Sequence, residues 1–244
     1  MLHHRTERTQ RKNAERRKRL DEAVACLTSL DAEEASAMKG TNLFRWLCSM
    51  MKISGSLLSK ARIGAMLDGD RVQEATVEEY RYLRACTELY GEFRHMADMS
   101  ISLDEKYIIR IYETLSEKTF RGYRSSEYTV REMNYRVPDS REIPVLMKAA
   151  DREIASEEHY EDRVRGAVRT HDMILSIWPF EEKNGEVAYA AMSYELFAAG
   201  YPLPVLDISD TEHLRLSSEF VQNGSSVHLC GEVIDSLLDQ CGGA

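Results

Sequence analysis

The sequence predicts a mainly α-helical protein carrying one small β-hairpin, and three observations lead to that reading. All five prolines fall between Pro138 and Pro204, so the first 137 residues lack the strongest helix breaker. Two capping boxes, Thr76 with Glu79 and Ser102 with Glu105, open helices in that stretch. Residues Val187 to Ala199 are apolar nearly all round and rich in alanine, the pattern of a helix buried at the centre of a bundle.

At 244 residues and 43% apolar content the chain can build a real core, which excludes wholesale disorder. No run approaches the roughly 20 apolar residues of a membrane span, and no apolar stretch follows the basic N-terminus. The expectation is a soluble, non-secreted, cytoplasmic protein with no membrane partner. Five cysteines (Cys26, Cys48, Cys86, Cys230 and Cys241) are scattered without a C-x-x-C pair, which predicts free thiols. The seven histidines include adjacent His3 and His4 but show no zinc spacing. The formal charge of -9 is uneven. Residues 1–20 hold eight Lys and Arg against two Glu, a surplus of six, leaving -15 for the rest. Such an acidic body repels nucleic acid except through the basic arm.

In chain order, the arm Arg5 to Arg19 leads into Leu20, Val24 and Leu27 at helical spacing, a helix start that packs on the domain or on a second chain. We assign residues 1–55 to an N-terminal helical segment with this arm, and 56–240 to a helical domain. The first capping box starts a helix running to about residue 96; the second starts one carrying Ile108, Ile111 and Leu115. Tyr123, Tyr128, Thr129, Val130 and Tyr135 flank the turn-like Arg131-Glu132-Met133-Asn134, which predicts a hairpin within 120–137. From about 156 the helical pattern resumes, with Val164, Ala167, Val168, His171, Ile174 and Leu175 on one face. The loop Trp178 to Gly185 separates this helix from the apolar one, which Gly200 and Pro202 stop. Ser209 with Glu212 caps a further helix, and Val227, Cys230, Ile234 and Leu237 stripe the last before the Gly-Gly-Ala end.

The loop reads Trp178-Pro179-Phe180-Glu181-Glu182-Lys183-Asn184-Gly185-Glu186-Val187-Ala188-Tyr189. It resembles the Fic motif H-P-F-x-[D/E]-G-N-G-R-x-x-R, sharing Pro179, Phe180, Glu182, Asn184 and Gly185. His171 has the family's spacing of seven residues before the motif histidine, and Gly200-Tyr201-Pro202 repeats the family's G-Y-P. Gly122-Tyr123-Arg124 through Val130, Val137-Pro138 and Ile143 to Met147 are similar to the family's substrate-docking hairpin and the helix after it. The resemblance covers roughly residues 60–236. It implies a helical bundle with the motif loop at the start of a central helix and a β-hairpin flap beside it. It also implies transfer of AMP from ATP to a protein hydroxyl, with the motif histidine as base, the acidic residue on magnesium, and the G-N-G backbone and arginines on phosphate.

The departures from that pattern fall where the chemistry is done. Trp178 replaces the histidine, and an indole nitrogen cannot accept the hydroxyl proton. Glu186 and Tyr189 replace the arginines, reversing charge beside a site for a polyanion. Lys183 replaces the first glycine of the anion cradle. A weakened nucleotide or anion site at Glu182, Lys183, Asn184 and Gly185 is what remains, with Glu182 as the one metal ligand. The family's inhibitory helix, [S/T]-x-x-x-E-[G/N], has its nearest counterpart in Gly64, Asp68 and Gly69.

Plainer roles compete with each of these. His171 on an apolar helix face reads as a hydrogen-bonded core histidine. Trp178 and Phe180 read as packing residues, and Glu181 and Glu182 as solvated carboxylates. The leading expectation is a degenerate Fic-type protein that lacks AMP-transferase activity, needs no cofactor and acts as a protein-interaction module. Its flap residues Tyr128, Val130, Tyr135 and Val137 would dock a partner strand by β-augmentation. The alternative is an ATP- and magnesium-dependent AMP or phosphoryl transferase acting on protein hydroxyls through a non-standard loop. A nucleic-acid-associated regulator using the basic arm ranks third.

Overall fold

The structure is a computed structural model that describes residues 2–27 and 32–241, with side chains for 11–25, 38–160 and 162–241. The side chains of His3, His4, Arg5, Arg8 and Cys26, and the Gly-Gly-Ala end, lie outside what is described. Among the described residues there are eleven α-helices and one two-stranded sheet. They are α1 (Leu2–Leu27), α2 (Ala32–Ile53), α3 (Lys60–Leu67), α4 (Val77–Asp98), α5 (Glu105–Ser116), α6 (Ile143–Ile154), α7 (Glu157–Glu161), α8 (Arg163–Ile177), α9 (Asn184–Ala198), α10 (Asp210–Asn223) and α11 (Val227–Gln240). Between α5 and α6 lies the hairpin. Strands β1 (Thr129–Val130) and β2 (Tyr135–Arg136) pair antiparallel, Thr129 with Arg136 and Val130 with Tyr135, across a 3-10 turn at Arg131–Met133. The mainly α class and the hairpin are therefore as the sequence predicts. No helix in the described chain is long and apolar enough to cross a membrane.

The apolar segment becomes α9, where eleven residues from Asn184 to Leu196 are buried. It packs against α8, with α2, α4 and α5 also on α9 and α6, α10 and α11 on α8. Thr76 and Ser209 make the reciprocal capping bonds expected of them, each to the backbone N–H of the glutamate three residues on. The second predicted box does not form. Asp104, not Ser102, caps α5 by accepting from Tyr107 N, and Glu105 N donates to Asp151 Oδ1 at 2.8 Å instead. A carboxylate one residue before the helix is the stronger acceptor, and a tertiary partner takes the next N–H.

The boundary placed at residue 55 does not separate two cores. Buried Trp46 of α2 donates through Nε1 to Ser193 Oγ of α9 at 3.0 Å, and one apolar cluster runs from Leu20 to Leu237. The basic arm is helical and lies along α11. Arg16 pairs with Asp235 at 3.1 Å, and Arg17 pairs with Asp162 while donating to Tyr201 Oη. Asn13, buried, donates to the Val227 carbonyl at 3.0 Å, and Gly231 leaves room for its side chain. Cys48, Cys86, Cys230 and Cys241 are free thiols.

Candidate functional site

The loop Trp178 to Lys183 joins α8 to α9, and both of its ends are left-handed. Trp178 closes α8 at φ +52° and Lys183 precedes α9 at φ +65°. Lys183 thus keeps the conformation that glycine would adopt freely, at a cost on the order of 1 kcal/mol for a residue bearing a Cβ. Inside the loop Asn184 holds the backbone in place. Its Oδ1 accepts from Phe180 N at 2.9 Å and its Nδ2 donates to Phe180 O at 2.8 Å. The Phe180 ring is buried and stacks on Tyr112 at 4.2 Å between centroids. Trp178 is half-buried and packs on the core. Both aromatic residues therefore pack, as the plainer reading expects.

The polar residues of the loop find partners within the chain. Glu181 accepts from Ser125 N at 2.9 Å and from Tyr128 Oη at 3.2 Å, and these bonds, the Ser125 N–H foremost, hold its carboxyl below the usual range. Glu182 pairs with Lys118, whose pKa it raises. Lys183 Nζ lies 3.0 Å from Glu186 Oε1 and 4.4 Å from the centroid of Tyr82. Tyr189 is fully buried and donates to the Pro204 carbonyl at 2.5 Å. The position at which the family places a phosphate-binding arginine has become part of the core.

The flap is fastened to this loop by buried Arg124. Its guanidinium donates to the carbonyls of Trp178, Ser126 and Pro138, each at 2.6 Å, and its backbone N–H donates to Pro179 O. Tyr135 Oη adds a bond to Ser176 O at 3.0 Å. Of the four flap residues expected to dock a partner, Val130 and Val137 are buried and Tyr135 is half-buried; only Tyr128 is exposed. Their apolar side chains face the domain because a two-stranded ribbon has no other core to bury them in. Gly64 packs beside Phe44, while Asp68 caps the C-terminus of α3 and, with Gly69, is exposed; Tyr189 bonds elsewhere.

Behind the first turn of α9 lies a cluster that the sequence did not reveal. His171 is fully buried, as expected for a core histidine. Its Nδ1 is 3.0 Å from Asp172 Oδ1 and its Nε2 is 2.6 Å from His213 Nε2. Burial, reinforced by His171, pushes the His213 pKa well down. Asp210, first residue of α10, is pushed up to about 6, by burial first and then by Glu186 and Glu132. Adjacent His171 and Asp172 were visible as a pair, but their partner stands 42 residues away on another helix. Burial also pushes the Cys86 and Cys230 thiols up to about 12, leaving neither as a nucleophile.

Asp210 gives a pH prediction. Its folded pKa exceeds the ordinary 3.8, so the stability it contributes is complete below about pH 4 and is lost as pH rises through 6. With its partial exposure discounted, the loss is about 1 kcal/mol. Asp210→Asn is expected to remove this component, making the variant the more stable protein at pH 7.5 and not at pH 4. Urea unfolding at both values checks it, and an unchanged pH slope in the variant counts against the assignment.

The family model described as Fic/DOC family matches residues 102–196. No curated protein matches the chain by sequence. Its fold is similar to that of a Fic domain containing signaling protein from Bacteroides thetaiotaomicron, with a TM-score of 0.77, 17% identity, and 92% of this chain and 94% of that one covered. It is also similar to a segment of Fic-1 from C. elegans (TM-score 0.80, 13% identity, 97% and 72% covered). A Fic family protein from Desulfovibrio desulfuricans matches with a TM-score of 0.71 at 17% identity, covering 91% and 72%. The segment that the Fic/DOC family model matches runs from the start of α5 through the flap and the motif loop into α9, and the fold around it is similar to that of these Fic proteins.

Proposed function

We propose that this protein is a non-catalytic Fic-type module that acts by holding a protein partner at its flap. The observation that carries the reading is the inward commitment of the motif loop. Trp178 offers no base, Lys183 is neutralised by Glu186, Tyr189 is sealed against Pro204, and Asn184 is used up on Phe180. A nucleotide would have to displace these contacts and would meet Glu186 where the family offers an arginine. Docking would then rest on the exposed edge positions Thr129 and Arg136 and on Tyr128 rather than on the buried valines. The free thiols, Cys48 and Cys86 buried and Cys230 and Cys241 half-buried, agree with a reducing, cytoplasmic setting.

Thermal unfolding with and without millimolar ATP and magnesium tests the proposal, since a ligand that binds only the folded state raises the midpoint. We expect no shift, and none in Glu182→Ala. A magnesium-dependent rise that Glu182→Ala abolishes would establish the alternative, an AMP or phosphoryl transferase with Glu182 on the metal. What favours that alternative is the exposure of Glu182 at the loop edge, beside the first turn of α9.

A further inference from the structure

Between the C-terminal end of α3 and the first half of α4 the surface opens into a groove of about 410 Å³. From α3 it takes Met66 and Leu67, and from α4 Tyr80, Arg81, Leu83 and Arg84. Met66 and Leu83 are buried and form its floor, whereas Leu67 at the rim is 40% exposed. Val77, also exposed, stands one turn ahead of Arg81 on the same face of α4, and Arg84 follows at i+7. Tyr80 fixes the shape. Its hydroxyl accepts from Val72 N at 2.7 Å and donates to Asp70 O at 3.0 Å, which ties the segment leaving α3 to α4. The groove is thus formed before anything enters it, which lowers the cost of binding.

The charge on the lining has one sign. Among the described residues no carboxylate lines the groove, and its two charged residues are arginines. Arg84 is drawn to Glu117 at 2.8 Å and to Glu88 at 3.6 Å. Arg81 is exposed and makes no ion pair or side-chain hydrogen bond with any described residue. Acidic side chains outnumber basic ones 41 to 32 in the chain, so Arg81 does not lack a partner for want of carboxylates. Methionine, tyrosine and arginine together, with lysine, aspartate and glutamate absent, are the composition of a protein-binding patch rather than of ordinary surface.

We infer that this groove receives an amphipathic helix of a partner protein, with an apolar side chain seated on Met66, Leu67 and Leu83 and a carboxylate one turn further on paired with Arg81. The groove shares no residue with the flap, and the inference does not depend on docking there. Its walls are helices, which offer no free backbone edge to an added strand, so recognition falls to side chains in helical register. A guanidinium presents paired donors that match a carboxylate, and Arg81 has them free where Arg84 does not. A nucleic acid matches the groove poorly, because its phosphates need several cations and this lining is mostly apolar.

The test is fluorescence anisotropy of a labelled helical peptide of about 15 residues, with leucines at i and i+3 and glutamates at i+4 and i+7, titrated with the full chain. A second peptide carries lysine in place of every glutamate. We expect saturable binding of the acidic peptide with a Kd on the order of 10 to 100 μM, and binding of the lysine peptide at least about tenfold weaker. Arg81→Glu and Leu67→Gln, both at exposed positions that folding does not need, should each weaken the acidic peptide about tenfold. Tyr128→Ala, at the flap, should leave its Kd unchanged. No saturable binding, equal affinity for the two peptides, affinity that survives in Arg81→Glu or Leu67→Gln, or affinity lost in Tyr128→Ala overturns the inference. Sedimentation velocity of the chain alone is the companion measurement. We expect Leu67→Gln to leave the oligomeric state unchanged; a dimer that this variant dissociates would mean that a second copy covers the groove, and would overturn the inference as well.

Discussion

Arg124→Ala is expected to lower stability by about 3 to 5 kcal/mol, because it removes one buried donor and leaves three carbonyls without partners. Those carbonyls, of Trp178, Ser126 and Pro138, belong to the motif loop, the first arm of the flap and the segment leaving it. The planar guanidinium spans all three, which a single ammonium cannot do, so Arg124→Lys should recover less than half of the loss. For a domain of this size the midpoint falls by roughly 2 to 4 °C per kcal/mol, and the alanine variant should melt about 10 °C lower. Trp178 is one of only two tryptophans, so its emission should also move to longer wavelength as the loop loosens. A loss below about 1 kcal/mol would mean that the flap is held by something other than Arg124.

Tyr189→Arg, which restores the second motif arginine, should cost more than about 4 kcal/mol and leave little folded protein. The position is fully buried in α9, and its hydroxyl donates to Pro204 O while accepting from Leu206 N at 3.4 Å. A guanidinium there would have no carboxylate partner in contact and no route to water. Tyr189→Phe is the control, losing only the hydroxyl's bonds at about 1 to 2 kcal/mol. Urea unfolding of the two variants against the parent distinguishes the cases. If the arginine variant proved as stable as the parent, the helix could present this position to a ligand after all, and the motif could be rebuilt one residue at a time.

Most of the architecture can be read in the sequence because it is written in local terms. The absence of proline before residue 138, the Thr76 and Ser209 caps, the turn residues between Val130 and Tyr135 and the all-apolar face of α9 each act within one or two turns of chain. So do the motif departures, since an indole is no base wherever it is placed. Even the burial of His171 followed from the face it shares with Val164, Val168 and Leu175. The partners of these residues were another matter. Asp104 took the place of the expected cap, and Asp151 of a different helix took the Glu105 N–H. Val130 and Val137 turned inward because the hairpin rests on the bundle, and a β pattern alone does not say which face will be covered. The sequence names Arg124 only within the hairpin segment Gly122 to Val130; that three carbonyls from separate segments close on it is a result of the fold. The pairing of His171 with His213, and the influence of Glu186 and Glu132 on the Asp210 carboxyl, join residues up to 78 positions apart through the packing of α8, α9, α10 and the flap. The sequence thus determined the helices, the hairpin and the identities of the loop residues, because propensity, capping and side-chain identity are local. Tertiary structure alone decided which charges meet, because that depends on which helix faces come into contact.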